Sequence, residues 1–543
     1  MSVGNRLPRV GLLLLICGIA FWWRLGYLGL IDPDEPFYAQ SSREMAQAHD
    51  WVTPRIFDQP QFEKPIFIYW LSMGSFRIFG DNELGVRAPA AVFATLLVFM
   101  TWAFGARMFN PRAGLLSAIV LATGAEYFVS ARMILTDMVF ATFVCGAVFS
   151  LWLASRSERR RDAWFVFACA LSGLAVLTKG PLGLLIPAFA AVALWLAREH
   201  PLPRRFPPAA VGLAVFAAIA VPWYAIMMNE FGRTYFDAFF LHENVHRFFH
   251  AEHRNNNHFY YYPAVLIAGS VPWTPALVTL FGRARRAAMW EGSPRFLILW
   301  MLFCLGFFTL AQSKLPSYVL FLFVPLALLI GRALDTLADG GVERYEKWAM
   351  WTLGAAQVAP FLVAPRIPTY GELMWPLGIV AACLVIALIL QARRAWTAWI
   401  AVTASSALLL PVVCLTWTGP AVDAIVSTRA LSKEILRELH PSETLLASPI
   451  LIRGVFYYTH HPVIVLSDRD HPFYTPHPLP VVRSRELNRY LIGKDGALCA
   501  VSGHDWARME PELRHDGWVV QDTTGGKVIV RSPAPTDSSR LHP

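Results

Sequence analysis

Three observations predict a polytopic α-helical membrane protein with a soluble α/β domain at its C-terminal end. The 543 residues are 55% hydrophobic and only 16% charged, with a mean hydropathy of +0.43. Ordinary soluble domains carry roughly 25% charged residues. Apolar runs, most near the ~20 residues a bilayer requires, follow one another as far as residue 420. Beyond Pro420 the chain turns polar and balanced, with 14 Lys and Arg against 14 Asp and Glu. The expected division is a membrane region 1–420, carrying a first outer loop over 31–83, and a soluble region 421–543.

The first run, Val10–Trp23, follows Arg6 and Arg9. It is expected to be a retained span, because no small-x-small cleavage site follows and Tyr27, Leu28 and Leu30 continue it. Twelve more runs begin near Leu84, Gly114, Ile134, Trp164, Leu182, Ala209, Tyr260, Phe296, Tyr318, Trp348, Met374 and Trp396, giving about 13 transmembrane helices. Alternate loops carry the arginines: Arg107 and Arg112, Arg156 to Arg161, Arg198 with Arg204 and Arg205, Arg283 to Arg286, Arg332 to Lys347, and Arg393 with Arg394. By the positive-inside rule these loops and the N-terminus are cytoplasmic, and an odd number of spans puts the C-terminal domain on the outer, periplasmic side. The net charge of +9 resides in these loops. It is a topology signal, and no basic patch on a polar domain points to nucleic acid.

Cys17, Cys145, Cys169, Cys304, Cys383 and Cys414 fall in apolar runs, and only Cys499 lies in the polar region. With no CxxC, neither a zinc ribbon nor a disulfide framework is supported. In the soluble region, helical stretches (Ser427–Leu439, Arg485–Ile492, His504–Leu513) alternate with short apolar ones (Leu445–Ala447, Val463–Leu466, Ala497–Val501, Trp518–Gln521, Lys527–Val530), which favours an α/β layer domain. A Pro- and Ser-rich tail follows from Pro533. There is no internal repeat, P-loop or GxGxxG.

The unusual polar residues fall in the other, outward set of loops. The stretch from Asp32 to Arg87 holds the acidic pair Asp34 and Glu35 and the triplet Glu63-Lys64-Pro65. Asp34-Glu35-Pro36 also fits a capped helix start, and Glu63-Lys64 fits an interfacial ion pair. Trp51, Tyr69 and Trp70 fit an aromatic belt. Asp137 stands at the end of a span, where an acid points to function. Lys179 in LTKGPLG and Lys314 with Tyr318 in SKLPSY interrupt short apolar connections, and snorkelling to the headgroups is the plain alternative for both lysines. The loop FLHENVHRFFHAEHR brings His242, Glu243, His246, Arg247, His250, His253 and Arg254. His242–Glu243–His246 matches HExxH, the zinc-protease pattern, but nothing else in the chain supplies a protease signature. Lysines and arginines opposite carboxylates suit the meeting of two phosphate-bearing lipids, offsetting repulsion and stabilising a departing phosphate.

Taken together and in order, LIDPDEPFYAQ, FEKPIFIYW, ILTDMVF, LTKGPLG, HENVHRF and SKLPSYVL resemble a known family. They are similar to the GT-C glycosyltransferases, and within these to the bacterial 4-amino-4-deoxy-L-arabinose lipid A transferases and their protein-mannosyltransferase relatives. The resemblance reaches to about residue 420; the C-terminal domain carries no such motif. It implies an inverting glycosyltransferase of the inner membrane that moves the aminosugar from undecaprenyl phosphate to a lipid A phosphate, lowering lipid A charge and conferring resistance to cationic peptides such as polymyxin. It carries over Asp34 and Glu63 as catalytic acids, and Glu35, Lys64, Asp137, Lys179, Arg247, Lys314 and Tyr318 as phosphate and sugar contacts. A divalent metal such as zinc stays open, with Glu63 and His242 as ligands. The expected partners are the undecaprenyl-phosphate-linked donor, lipid A and membrane lipids, acting on a monomer.

Two rival readings remain at this point. One is a polyprenyl-phosphate-sugar-dependent O-glycosyltransferase with a protein Ser or Thr acceptor, needing a true general base. The other is a lipid or sugar transporter. Against the latter, the polar residues gather on one expected face, and no paired broken helices or repeat is visible.

Overall fold

Lipid offers backbone amides no partner, so an apolar run that enters it must satisfy them internally as helix. A computed structural model describes residues 7–198, 203, 206–250, 257–282, 291–337, 343–363, 374–469 and 479–533. In it, each of the thirteen predicted starts lies in a helix or within two residues of the start of one. Among the described residues, seven helices are by themselves long and apolar enough to cross a bilayer: Glu83–Met108, Thr136–Arg156, Arg161–Lys179, Phe206–Phe249, Gly292–Leu310, Pro316–Leu337 and Trp396–Trp417. The chain is a membrane protein. Arg204, Arg205, Arg283, Arg285, Arg286, His253, Arg254 and the tail beyond Pro533 lie outside the described residues.

Two predicted spans prove to be broken. The run near Gly114 forms Pro111–Thr123 and Ala125–Ala131, bent by 65° at Gly124, whose backbone is extended (φ −74°, ψ 137°). The run near Tyr260 forms Tyr261–Gly269 and Thr274–Phe281, bent by 118°. There Pro272 lacks an amide hydrogen and restricts the residue before it, so the helix cannot run through. Other apolar helices are shorter, among them Leu7–Trp22 and Leu182–Leu196. Local sequence sets several of these ends. Asn110 accepts from the amides of Arg112 and Ala113, with Pro111 opening the helix it caps. In LTKGPLG, Gly180 takes φ +83°, which stops the helix at Lys179, and Pro181 leads into the next at Leu182.

The chain folds as two units. The first comprises Met1–Leu25, Glu63–Ile68 and Arg87–Thr418; the second comprises Gly26–Phe62, Tyr69–Val86 and Gly419–Pro543. Much of the loop between the first two apolar runs thus belongs with the C-terminal residues, a grouping that sequence position does not reveal.

The second unit is built on a six-stranded sheet: β3 (Thr444–Ala447), β4 (Ile464–Leu466), β5 (Val481–Val482), β6 (Ala497–Ser502), β7 (Val519–Thr524) and β8 (Lys527–Arg531), in the order β5-β4-β3-β6-β8-β7. Pairing is parallel from β5 to β6 and antiparallel from β6 to β7. An earlier two-stranded hairpin, β1 (Arg55–Ile56) with β2 (Gln59–Pro60), turns at Phe57 and Asp58, both at positive φ as a type I′ turn requires. The sheet is covered on both faces. Along β6, Leu498 and Ala500 join one core with Leu431, Ile435, Ile452 and Val455, while Cys499 and Val501 join the other with Trp506, Met509 and Leu513. Alternate side chains point to opposite faces, so a strand buried on both sides reads as the unbroken apolar run ALCAV.

The five predicted strands and two of the three predicted helices are present, the latter as Arg429–Glu438 and Gly503–His515. The third, Arg485–Ile492, is instead a 3₁₀ turn at Ser484–Glu486 followed by a single turn at Leu487–Tyr490. Strand β5 and the helix Ile452–Thr459 were not predicted: one is two residues long, and the other carries Gly454 and six aromatic or β-branched residues in eight. All seven cysteines are free thiols.

Candidate active site

Six of the predicted site residues meet in the first unit around one tyrosine. Lys64 Nζ lies 2.9 Å from Glu243 Oε2, and Arg247 Nη1 reaches the same oxygen at 2.7 Å. Arg247 Nη2 donates to Tyr318 Oη at 3.3 Å. On the other side of Tyr318, Lys179 Nζ sits 4.4 Å from the ring centroid and pairs with Asp137. That places a cation over the electron-rich ring face. His242 Nδ1 approaches Glu243 Oε1 at 3.5 Å.

The sequence brings these groups together through backbone pairing. The amides of Gln312 and Ser313 donate to the carbonyls of Phe248 (2.8 Å) and Arg247 (3.2 Å), so SKLPSY runs beside HENVHRF. Glu243 and Arg247 share a face four residues apart. Asp137 starts its helix and Lys179 ends its own, so their side chains meet where the two helices terminate.

Electrostatically, two cations share one carboxylate oxygen of Glu243, and the Glu63 carboxylate also acts on Lys64. Burial pushes the Lys64 ammonium down, but the neighbouring Glu243 carboxylate outweighs it and holds the amine above its ordinary value. Lys64 therefore stays charged. Such an arrangement can hold a phosphate and accept the charge that builds up when a phosphate departs.

Lys314 does not join the cluster as a partner of Tyr318. Its side chain is buried and donates to Asn257 Oδ1 at 2.9 Å, and burial lowers its pKa. The reason is local: Tyr318 lies in the helical turn that begins at Pro316, whereas Lys314 precedes that proline. Glu63 is half-buried beside Lys64, which donates to its carbonyl at 3.0 Å.

Asp34 and Glu35 lie in the second unit and behave differently from each other. Asp34 opens the second helix of the chain, α2 (Asp34–Gln47), and is exposed. Glu35 is fully buried, and its Oε2 accepts from the Ile31 amide at 2.8 Å, holding the approach to the helix. Further along α2, Arg43 pairs with Asp81 at 2.5 Å and lies 3.7 Å over the Tyr457 ring, while Glu44 accepts from the amides of Phe57 and Asp58 at the hairpin turn.

The histidines do not build a metal centre. His242, His246 and His250 stack in a column, ring centroids 5.3 and 4.3 Å apart with planes 12° from parallel. Stacked rings turn their faces, not their nitrogens, toward one another. Among the described residues no three of His, Cys, Asp or Glu gather as a metal requires, and Glu243 is engaged by Lys64 and Arg247. Glu63 and His242 as metal ligands thus find no third donor among the described residues.

Comparison with known proteins decides the family. The undecaprenyl phosphate-alpha-4-amino-4-deoxy-L-arabinose arabinosyl transferase 2 of Pseudomonas fluorescens is 32% identical over 453 residues, spanning 81% of this chain and 76% of the relative. The chain belongs to this arabinosyl transferase family. Transferase 1 of the same species is 31% identical over 74% of each chain. The Erwinia tasmaniensis arabinosyl transferase is 31% identical over 64% of this chain and 63% of its own. Residues 63–225 match the dolichyl-phosphate-mannose-protein mannosyltransferase family. The arabinosyl transferase fold is matched by the crystal structure of ArnT from Cupriavidus metallidurans bound to undecaprenyl phosphate, with a TM-score of 0.77 and 23% identity over 98% of both chains. This arabinosyl transferase family member is a membrane glycosyltransferase of GT-C type.

Residues that the sequence did not single out also shape the second unit. Asp423, Arg429 and Tyr458 contact the stretch that leads to Asp34, Glu83 accepts from Arg429 and Tyr458, and Lys527 donates to the carbonyls of Ala424 and Ile425. They lie in no motif, and a sequence cannot show that Lys527 is buried in its strand.

Proposed function

We propose that this chain transfers 4-amino-4-deoxy-L-arabinose from undecaprenyl phosphate to a phosphate of lipid A, at the periplasmic face of the inner membrane and with inversion. The observation that carries this reading is the pair of cations, Lys64 and Arg247, on one oxygen of Glu243 in a member of this transferase family. Donor and acceptor each bring a phosphate, and two unit charges about 4 Å apart cost about 4 kcal/mol at an effective dielectric near 20. Lys64 and Arg247 offset that repulsion. Lys179, kept in place by Asp137 and the Tyr318 ring, adds a third cation.

In the proposed step a lipid A phosphate oxygen attacks the anomeric carbon of the sugar. The bond from that carbon to the undecaprenyl phosphate oxygen breaks, and undecaprenyl phosphate leaves with the electron pair, stabilised by the cations. A phosphate acceptor is already anionic, so the step needs positioning and charge neutralisation more than a strong base. Asp34 and Glu63 are the acids proposed to orient the acceptor and the sugar amine, and Glu35 acts through the backbone it holds. The N-terminus is proposed to be cytoplasmic and the C-terminal domain periplasmic. Adding an aminosugar lowers the negative charge of lipid A and would reduce binding of cationic peptides such as polymyxin.

The test is mass spectrometry of lipid A from a transferase-null Gram-negative strain carrying either the wild-type chain or Asp34→Asn. An aminopentose adduct with the wild type alone is the expected result. Unmodified lipid A with the protein properly inserted would sink the reading. A second acceptor class, protein Ser or Thr, is favoured by the mannosyltransferase match over residues 63–225; it would appear in the same experiment as a glycosylated protein beside unmodified lipid A.

A further inference from the structure

Residues 27–33, which lead to Asp34, form no helix or strand of their own, so something else must hold them. Besides Glu35, which takes the Ile31 amide, four partners come from beyond residue 418 in the same unit. Tyr27 O accepts from Arg429 Nη2 at 2.7 Å, and the Gly29 amide donates to Asp423 Oδ1 at 2.5 Å. The Leu30 amide donates to Tyr458 Oη at 2.7 Å, and the Asp32 amide to Val426 O at 3.1 Å. Arg429 is the hub: it also reaches Asp423 Oδ2 (2.9 Å) and Glu83 Oε1 (3.0 Å), and Tyr458 donates to that same Glu83 oxygen at 3.1 Å.

A second support comes from the sheet. Lys527, nearly buried at 6% exposure, donates to Ala424 O at 2.6 Å and Ile425 O at 2.8 Å. The next carbonyl, that of Val426, is the one that takes the Asp32 amide. Lys527 pairs in register with Ser502 at the end of β6, and β6 and β4 flank β3 on opposite sides. That reversal of strand order is the switch point at which doubly wound sheets open a crevice for ligands. Here the crevice takes a segment of the chain itself: a Cβ placed on Gly454, in the helix after β3, would lie 3.0 Å from Asp32 Cγ and would also meet Thr428.

We propose that Arg429 and Lys527 are positioning residues for sugar transfer, acting through residues 27–32 to fix the start of helix α2 and with it the Asp34 carboxylate. The C-terminal domain, which carries no motif of the family, then takes part in the reaction as the support of its first acidic loop. This role rests on the reading of Asp34 as a reacting acid. A displacement of about 1 Å at a catalytic group costs roughly 100-fold in rate, so losing either anchor should be visible in turnover.

The experiment uses the purified full-length chain with donor and lipid A, and measures kcat, the donor KM, and hydrogen exchange at residues 27–37. Arg429→Ala and Lys527→Met should lower kcat by tenfold or more (roughly 10–100-fold), with donor KM unchanged within about twofold and faster exchange across 27–37. Arg429→Lys should recover part of kcat, and Lys433→Ala, at an exposed position on the same helix as Arg429, should match wild type. Should Arg429→Ala fail to fold, Lys527→Met and Arg429→Lys carry the test. Wild-type kcat in Lys527→Met and Arg429→Lys alongside an inactive Asp34→Asn overturns the positioning role. So does a loss of activity that merely tracks a smaller fraction of donor-binding protein. Full activity of Asp34→Asn is a different result, and it sinks the reading of Asp34 itself.

Discussion

Asp32 and Asp34 are two residues apart and do opposite things. Asp34 is exposed, whereas both carboxyl oxygens of Asp32 are sealed from water. Burial pushes the Asp32 carboxyl up to about 8, against the pull of Lys527 and Thr428 and with a further push from Glu35. The unfolded chain releases that proton near its ordinary value of 3.8, while the folded chain keeps it. The associated stability is complete below about pH 4 and is lost as pH rises toward 8. Asp32→Asn holds the uncharged shape at every pH, so its melting temperature should gain on wild type between about pH 4 and 8 and level off above. Parallel melting curves across that range would remove the argument. The Lys179–Asp137 pair gives a second prediction at this scale. Both side chains are largely buried, at 12% and 8% exposure. Removing one partner of such a pair strands the other charge, at a cost of about 3–5 kcal/mol. Asp137→Asn should therefore destabilise the chain more than Asp137→Asn combined with Lys179→Met. Donor turnover should be lost in both, because the cation is either stranded or gone. A double variant no more stable than the single would show that the pair's energy lies elsewhere.

At the scale of elements, the helix that carries HENVH shows how far a pattern can mislead. HExxH at helical spacing predicts two nitrogens converging on an ion. The rings instead stack through His250, and Glu243 is drawn to Lys64 and Arg247. A chelator should leave donor binding and turnover unchanged, and His246→Phe, which keeps a flat ring in the column, should retain most activity. Glu243→Gln, by contrast, leaves Lys64 and Arg247 adjacent without their shared carboxylate and should reduce kcat by about tenfold or more, because the two cations then repel and drift. Loss of activity on chelation would reverse this account. The spans behaved more predictably. Their starts were legible because hydropathy and arginine loops report directly on lipid exposure. The bends at Gly124 and Pro272 were not, since apolar residues continue through both breaks.

At the scale of the molecule, the division into two units decides what can be removed. Residues 26–62 and 69–86 lie among the C-terminal residues, whose sheet and helices supply partners to Tyr27, Gly29, Leu30 and Asp32. A chain ended after Thr418 should still insert in the membrane, because its spans are intact. It should show no transfer and rapid hydrogen exchange over 27–37, and supplying the C-terminal segment in trans should restore part of both. Normal activity of the shortened chain would contradict this.

What the sequence determined by itself was the class of molecule. Fifty-five per cent hydrophobic residues in runs matched to a bilayer point to helices in lipid, and the short β6 run ALCAV, in a polar region of alternating elements, fits a strand buried on both faces, as it is. The motifs named the residues that meet around Tyr318, because chemistry of that kind restricts residue type. Tertiary structure decided the partners. Lys64 found Glu243 at a separation of 179 residues, Arg429 found Tyr27 at 402, and Lys314 went to Asn257 rather than to the tyrosine one turn away. Charge pairing acts across space with no local sequence signature, so which cation meets which acid becomes readable only once the chain is folded.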